Sequence, residues 1–199
     1  MNNHLVADEV YHFLSYSGQP PKPFAAEIES GNVVSLGSFS KILAPGLRLG
    51  WLQTNKEIIH RFVESGLLDS GGGMNPFTSA IVNRVLETGG LEQNIANLIA
   101  TYRGRIEVMD IALRQYLPDV EYILPHGGYF FWIHLPNEIK TSELQQRAEA
   151  FKVGFRPGTL FSCQGGMQDY MRLSYVFYEP DDLVQGVLRI KWCLKKMEE

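Results

Sequence analysis

The sequence predicts an α/β fold in two parts, an incomplete open sheet followed by a smaller α+β region. Three observations point there. Two β-branched apolar runs near the start, NVVSLGSF and LGWLQT, are apolar enough for strands covered on both faces. A helical periodicity runs from about Leu91 to Tyr116, a length that suits an interdomain connector. Beyond Pro118, short strands alternate with helical segments.

In chain order, the apolar run from His4 to Val10 continues into VYHFL and stops at SGQPPKP, a strand leading into a loop. Strands follow at Asn32 to Phe39 and Leu49 to Thr54, with SKILAPG as the turn between them. From Lys56, apolar residues at Ile58, Ile59, Phe62 and Val63 give a helical spacing that ends near Gly66. SGGGMNPF is a flexible loop, and Pro76 sits in the first turn of a helix over Asn75 to Leu86. The long helix places Ile95, Leu98, Ile99, Tyr102, Ile106, Met109 and Leu113 on one face. Next come strands VEYIL and GYFFWIHL, then a helix SELQQRAEAFKV with Ser142 as candidate cap. Strand YMRLSYVF and a helix from about Asp181 complete the chain. The expected division is residues 1–105 and 106–199.

Composition narrows the function. The 199 residues are 45% hydrophobic and 20% charged, with a formal net charge of -4, so no basic stripe offers itself to nucleic acid. No apolar run approaches the roughly 18 residues that span a bilayer, and MNNHLVADEV is not a signal sequence. The expectation is a cytoplasmic protein that binds neither nucleic acid nor membrane. Cys163 and Cys193 lack metal or disulfide spacing and read as buried thiols.

Lys41 lies at a strand end between Phe39, Ser40 and Ile42, Leu43, where desolvation favours a free, nucleophilic amine. On local sequence alone, a lysine snorkelling out of a turn is the favoured reading. Arg48, in GLRLG, can offer a fork of donors to an oxyanion, with two glycines admitting close backbone approach. Its alternative is a carboxylate partner at the core edge. Asp8 and Tyr11, in DEVY, end the first strand, where ligands of open α/β sheets bind. Glu9 faces the other way from Asp8 on a strand and cannot pair with it. Arg172 alternates with Met171 and Leu173, and so clamps a carboxylate if its face lines a cleft; by itself the pattern favours a solvated edge strand. In HGGYFFW, the glycines suit a close backbone approach, and His126 reads as structural. No P-loop and no GxSxG elbow is present.

Taken together, VADEVY, SFSK, GLRLGW, GGYFFW and RLSY, in this order, resemble the class I/II aminotransferases, fold-type I enzymes dependent on pyridoxal 5'-phosphate. The SFSK and GLRLGW forms look closest to the aminoadipate and kynurenine branch. The resemblance implies the aspartate aminotransferase-like fold, here its C-terminal part: a partial cofactor-binding large domain and a small C-terminal domain. Lys41 matches the lysine that holds the cofactor as a Schiff base, Asp8 the partner of the pyridine nitrogen, and Tyr11 the donor to the ring's phenolic oxygen. Ser38 and Arg48 match phosphate ligands, and Arg172 matches the arginine that binds the substrate α-carboxylate. Amino acid and 2-oxo acid substrates and a homodimer follow, with SGGGMNPF approaching the neighbouring cofactor phosphate.

Family members carry well over a hundred residues before the DEVY strand, among them a Gly-rich phosphate turn, an aromatic that stacks on the ring and an NPTG-like asparagine. This chain has none of these, so the expectation is a truncated form of low activity. The alternative is a non-catalytic ligand-sensing module of a transcriptional regulator, since such regulators retain the lysine.

Overall fold

Strands and helices follow one another as β1 Leu5–Asp8, β2 Val33–Ser38, β3 Gly50–Gln53, α1 Lys56–Val63, α2 Pro76–Glu87, α3 Gly90–Tyr116, β4 Glu121–Tyr122, β5 Phe130–His134, α4 Thr141–Ala148, β6 Arg156–Pro157, β7 Tyr170–Ser174 and α5 Pro180–Glu198. The computed structural model describes residues 3–66, 68, 74–137 and 139–198. The chain divides into two units, Met1–Ile99 and Ala100–Glu199, with the boundary inside α3.

In the first unit the strand order is β1-β2-β3. β1 and β2 run parallel from Leu5↔Val33 to Asp8↔Leu36, and β3 returns antiparallel with Ser38 opposite Gly50. Central β2 buries Val33, Val34 and Ser35. The expectation of strands covered on both faces holds for the start of β2 and fails for β3, an edge strand with no buried residue; at the other edge, Leu5 and Val6 of β1 are 45% and 60% exposed. The crossover between the parallel strands contains a short 3-10 segment, Phe24–Ser30. Glu9 holds it in place. Its carboxylate accepts from the Phe24 N–H (2.9 Å), the Ala25 N–H (3.3 Å) and the Ser35 hydroxyl (2.6 Å), tying crossover to sheet.

Asparagines start both helices of this unit. The Asn55 side chain accepts from the Ile58 N–H and Asn75 from the Thr78 N–H, with Pro76 next in line, where its missing N–H costs no helical bond.

The second unit is an antiparallel sheet of order β4-β5-β7-β6. One face carries Phe131, Ile133, Met171 and Leu173, all buried, as are Leu144 and Ala148 of α4 and Leu183, Val187 and Ile190 of α5. The opposite face carries Phe130, Trp132, His134, Tyr170, Arg172 and Ser174. Tyr175, fully buried after β7, donates its hydroxyl to the Gly128 carbonyl (2.7 Å). Gly128 has φ +77°, so its place in HGGYFFW requires the left-handed freedom of glycine rather than a close approach.

Three expectations are corrected here. β7 is interior, not an edge, because β6, two residues long and too short to show a period, pairs along its far side. Ser142 is not the cap of α4: the helix starts one residue earlier, Lys140 stands at the cap position without a side-chain bond, and buried Thr141 donates to the Gln168 carbonyl (2.9 Å). Cys193 is buried as expected, its thiol pushed up in pKa by burial, but Cys163 is exposed, in the loop before β7.

Candidate active site

Parallel pairing of β1 and β2 brings their C-terminal ends to one end of the sheet, with Asp8 opposite Leu36 and Ser38 two residues further along β2. Asp8 is exposed there, and its Oδ1 accepts from the Val10 N–H (3.4 Å) as the chain turns. Tyr11 follows in that turn. Lys41 lies in the helical turn after β2, which is closed by hydrogen bonds from the Leu43 and Ala44 N–H groups to the Phe39 carbonyl (2.8 and 3.1 Å). Its Nζ lies 5.8 Å from the centre of the Tyr11 ring, so turns leaving two different strands place these residues together.

The half-buried Lys41 is anchored by its neighbour. Ile42 is completely buried, and its carbonyl accepts from the Asn94 side chain of α3 (2.7 Å). Lys41 therefore projects from a backbone held at the next residue by both a buried apolar side chain and a hydrogen bond. Sequence reading missed Asn94, which is 52 residues from its partner and belongs to no motif.

The Arg48 guanidinium returns to the same end. Its Nη1 donates to the Ser40 hydroxyl and the Pro45 carbonyl, both at 3.3 Å, while Ser38 Oγ accepts from the Ser40 N–H at 3.1 Å. Ser38, Ser40 and Arg48 thus form one chain of contacts, in which Ser40, not singled out from sequence, is the direct arginine partner. Arg48 itself has φ +50°, a left-handed conformation that costs a non-glycine residue about 1–3 kcal/mol. Strain of this kind concentrates at functional sites.

Of the two glycines of GLRLG, only Gly50 serves close approach: a Cβ there would meet the Gly37 carbonyl oxygen at 2.7 Å, whereas Gly46 faces open space. Gly37 in turn leaves room for the Trp51 indole, which packs against Phe39 with ring centres 4.7 Å apart. Behind the site, burial pushes the Glu9 carboxyl up in pKa. The bonds from Ser35, Phe24 and Ala25, with the His12 charge, outweigh that and hold it below the ordinary glutamate value.

Arg172 belongs to the second unit and stands on the open face of β7. Its guanidinium lies 3.9 Å from the Phe130 ring centre and 4.5 Å from that of Phe161, which fixes its orientation and leaves its in-plane N–H donors uncommitted. His126 is exposed, ahead of the turn at Gly128. SGGG of the SGGGMNPF loop lies outside the described residues. Among the described residues, no group of His, Cys, Asp or Glu side chains is placed to hold a metal ion, and no helix is long and apolar enough to cross a membrane.

Comparisons with known proteins agree with this architecture. An aromatic-amino-acid aminotransferase of Thermococcus litoralis is 34% identical over 193 residues, spanning 96% of this chain and 46% of its own length. The kynurenine aminotransferase of Pyrococcus horikoshii, solved in complex with PMP, superimposes with a TM-score of 0.90 at 32% identity, covering 98% of this chain and 48% of that one. The transcriptional regulator TauR of Rhodobacter capsulatus is 30% identical, over 96% of this chain and 40% of its own length. The chain thus spans about half the length, or less, of the relatives it matches. The family model for aminotransferase class I and II matches residues 1–187, and the chain belongs to that family.

Proposed function

We propose that this chain carries one part of a pyridoxal-phosphate site and serves transamination, the transfer of an amino group from an amino acid to a 2-oxo acid. The observation that carries the reading is the gathering of Lys41, Tyr11, Asp8 and the Ser38–Ser40–Arg48 chain at the C-terminal end of two parallel strands. This donor set fits the cofactor: an amine for its aldehyde, a carboxylate for its ring nitrogen, a phenol for its ring oxygen, and hydroxyls with a guanidinium for its phosphate. When bound, pyridoxal phosphate supplies an electron sink for the charge left at the substrate Cα.

The chain's own residues do the rest. The Asp8 carboxylate would hold a proton on the ring nitrogen, because an adjacent negative charge favours the cationic form. Lys41 would hold the cofactor through its Nζ and, once displaced by the amino acid, its amine would take the proton from the substrate Cα and deliver it to the carbon on the other side of the substrate nitrogen. Arg48 and Ser38 anchor the phosphate, and Arg172 orients the substrate carboxylate. Residues 1–105 would form part of the cofactor-binding domain and 106–199 the small domain. A homodimer is part of the same proposal for the whole protein.

Similarity to TauR favours a second reading, a ligand-sensing module that binds the cofactor without turnover. Labelling tests the shared element. Protein mixed with pyridoxal phosphate and reduced with borohydride should carry the cofactor on Lys41 by peptide mapping, and Lys41→Ala should carry none there. Reduction elsewhere, or equal labelling of the variant, would overturn both readings.

A further inference from the structure

We propose that a cavity between α5 and the loop after α4 binds a small carboxylate with one ring-sized or branched apolar body, at a site separate from Arg172.

Packing carries the first step. The cavity, of about 190 Å³, lies within the second unit on the helix side of its sheet. Its floor is the apolar surface of Met109, Leu173, Leu183, Val187 and Ile190. Leu173 alternates with Arg172 along β7, so the cavity is on the reverse of the face that carries Arg172. An apolar body that displaces water from such a floor gains free energy, and a cavity of about 150 Å³ with an apolar lining holds a benzene-sized molecule.

Two glycines keep the space open. Gly186 of α5 and Gly154 of the loop both line it, and a Cβ at either would meet nothing within 4 Å. Neither has a positive φ, so no turn and no close neighbour requires glycine there. Glycine weakens a helix interior relative to alanine, and at Gly186 that cost is set against an unobstructed stretch of helix backbone at the cavity wall.

Charge selects the ligand. Arg189 and Lys152 line the same cavity. Arg189 Nη1 donates to the Lys152 carbonyl (2.8 Å), which holds the guanidinium at the cavity's edge with further N–H donors to spare. Among the described residues, no carboxylate pairs with Arg189 or Lys152. Asp182 is the one acidic residue of the lining. It stands in the first turn of α5, where the helix dipole favours its charge, about 10 Å along the axis from Arg189. Two cations and a carboxylate, two helical turns apart beside an apolar floor, suit a ligand with a single anionic head and disfavour one that is anionic at both ends.

Benzoate and benzamide share a ring and a shape and differ in the charge of the head. Titrated into the chain at fixed ionic strength, benzoate should bind about tenfold more tightly than benzamide, the worth of a charge-assisted contact, and should move the methyl resonance of Met109. Gly186→Leu, which fills the cavity, should abolish that shift, and Arg189→Gln should bring benzoate to the benzamide level. Gly186→Ala should raise the Tm, since its methyl meets no neighbour. Arg172 offers a carboxylate a second place, so the titration is repeated in Arg172→Gln, where the Met109 shift should persist at the same affinity. Equal affinities for the two ligands, a Met109 shift retained in Gly186→Leu or lost in Arg172→Gln, or a Tm lowered by Gly186→Ala would each overturn the proposal. No readout involves Lys41 or the cofactor, so the outcome is independent of the transamination reading.

Discussion

The two units differ in where their apolar side chains go. In Ala100–Glu199, the strands alternate cleanly: Phe131, Ile133 and Met171 are completely buried, and the polar and aromatic set stands on the other face. In Met1–Ile99, which holds five of the six candidate site residues, several elements bury one apolar side chain, Ala7, Ile58 or Val82, and leave others open. Leu5 and Val6 of β1, Ile59, Phe62 and Val63 of α1, and Phe77, Ile81 and Leu86 of α2 are all exposed. The second unit's stability comes from a closed core, whereas the first holds its site together with specific polar ties, among them Glu9, Asn94 and the Ser38–Ser40–Arg48 chain. That contrast predicts which substitutions matter in each.

The largest effect should come from the closed core. Phe131→Ala removes a ring that makes edge contacts with Tyr122 and Tyr175 at 5.4 and 5.6 Å, and should cost about 3–5 kcal/mol in denaturant unfolding. Val6→Ala in the first unit, at a side chain already more than half exposed, should cost under about 1 kcal/mol. Comparable losses at the two positions would break the contrast.

Polar ties come next. Asn94→Leu leaves the buried Ile42 carbonyl without its side-chain donor and should cost about 1–3 kcal/mol. Because Ile42 adjoins Lys41, the same variant should slow cofactor labelling of Lys41 while the protein remains folded by circular dichroism. A stability loss with labelling unchanged would reduce Asn94 to a packing residue. Gly50→Ala, which drives a Cβ towards the Gly37 carbonyl oxygen, should cost about 1–3 kcal/mol and shift Trp51 fluorescence.

The same division explains what was legible in the sequence. α1, α2 and α3 are readable to within a few residues because α1 and α3 carry a helical apolar period and α2 starts at Asn-Pro. The order of DEVY, SFSK, GLRLGW and RLSY identified the family because each motif is local. What escaped depends on register and on contacts distant in sequence. Nothing near Arg172 in the chain tells that Arg156 lies opposite it, and a two-residue strand leaves no periodicity. Glu9 read as a carboxylate facing away from Asp8, but its partners are backbone N–H groups of a crossover 15 and 16 residues on. Ser40, one residue before Lys41, carries no local signal that sets it apart from Ser38, and only the path of Arg48 distinguishes them.

The smallest expected effect is a pH dependence confined to the second unit. His134 of β5 has Asp169 Oδ2 at 2.8 Å from Nε2 and Glu121 Oε2 at 3.3 Å from Nδ1, and its ring stacks on Tyr170 at 4.8 Å. The Asp169 hydrogen bond raises its pKa most, burial opposes this, and the Glu121 bond and both charges add to the rise. A histidine whose pKa is higher folded than unfolded stabilises the fold fully below its unfolded value of 6.5, and the contribution is lost as pH rises through the folded value. The wild-type Tm should therefore fall relative to that of His134→Gln as pH is raised from about 5.5 to 8.5. Solvent reaches the exposed Glu121 carboxylate and, in part, Asp169 and screens the interaction, so the difference should be small, and added salt should shrink it further. Parallel Tm curves for the two proteins would show that the imidazole keeps the same protonation whether folded or not, and that its bond to Glu121 adds nothing to the joining of β4 and β5.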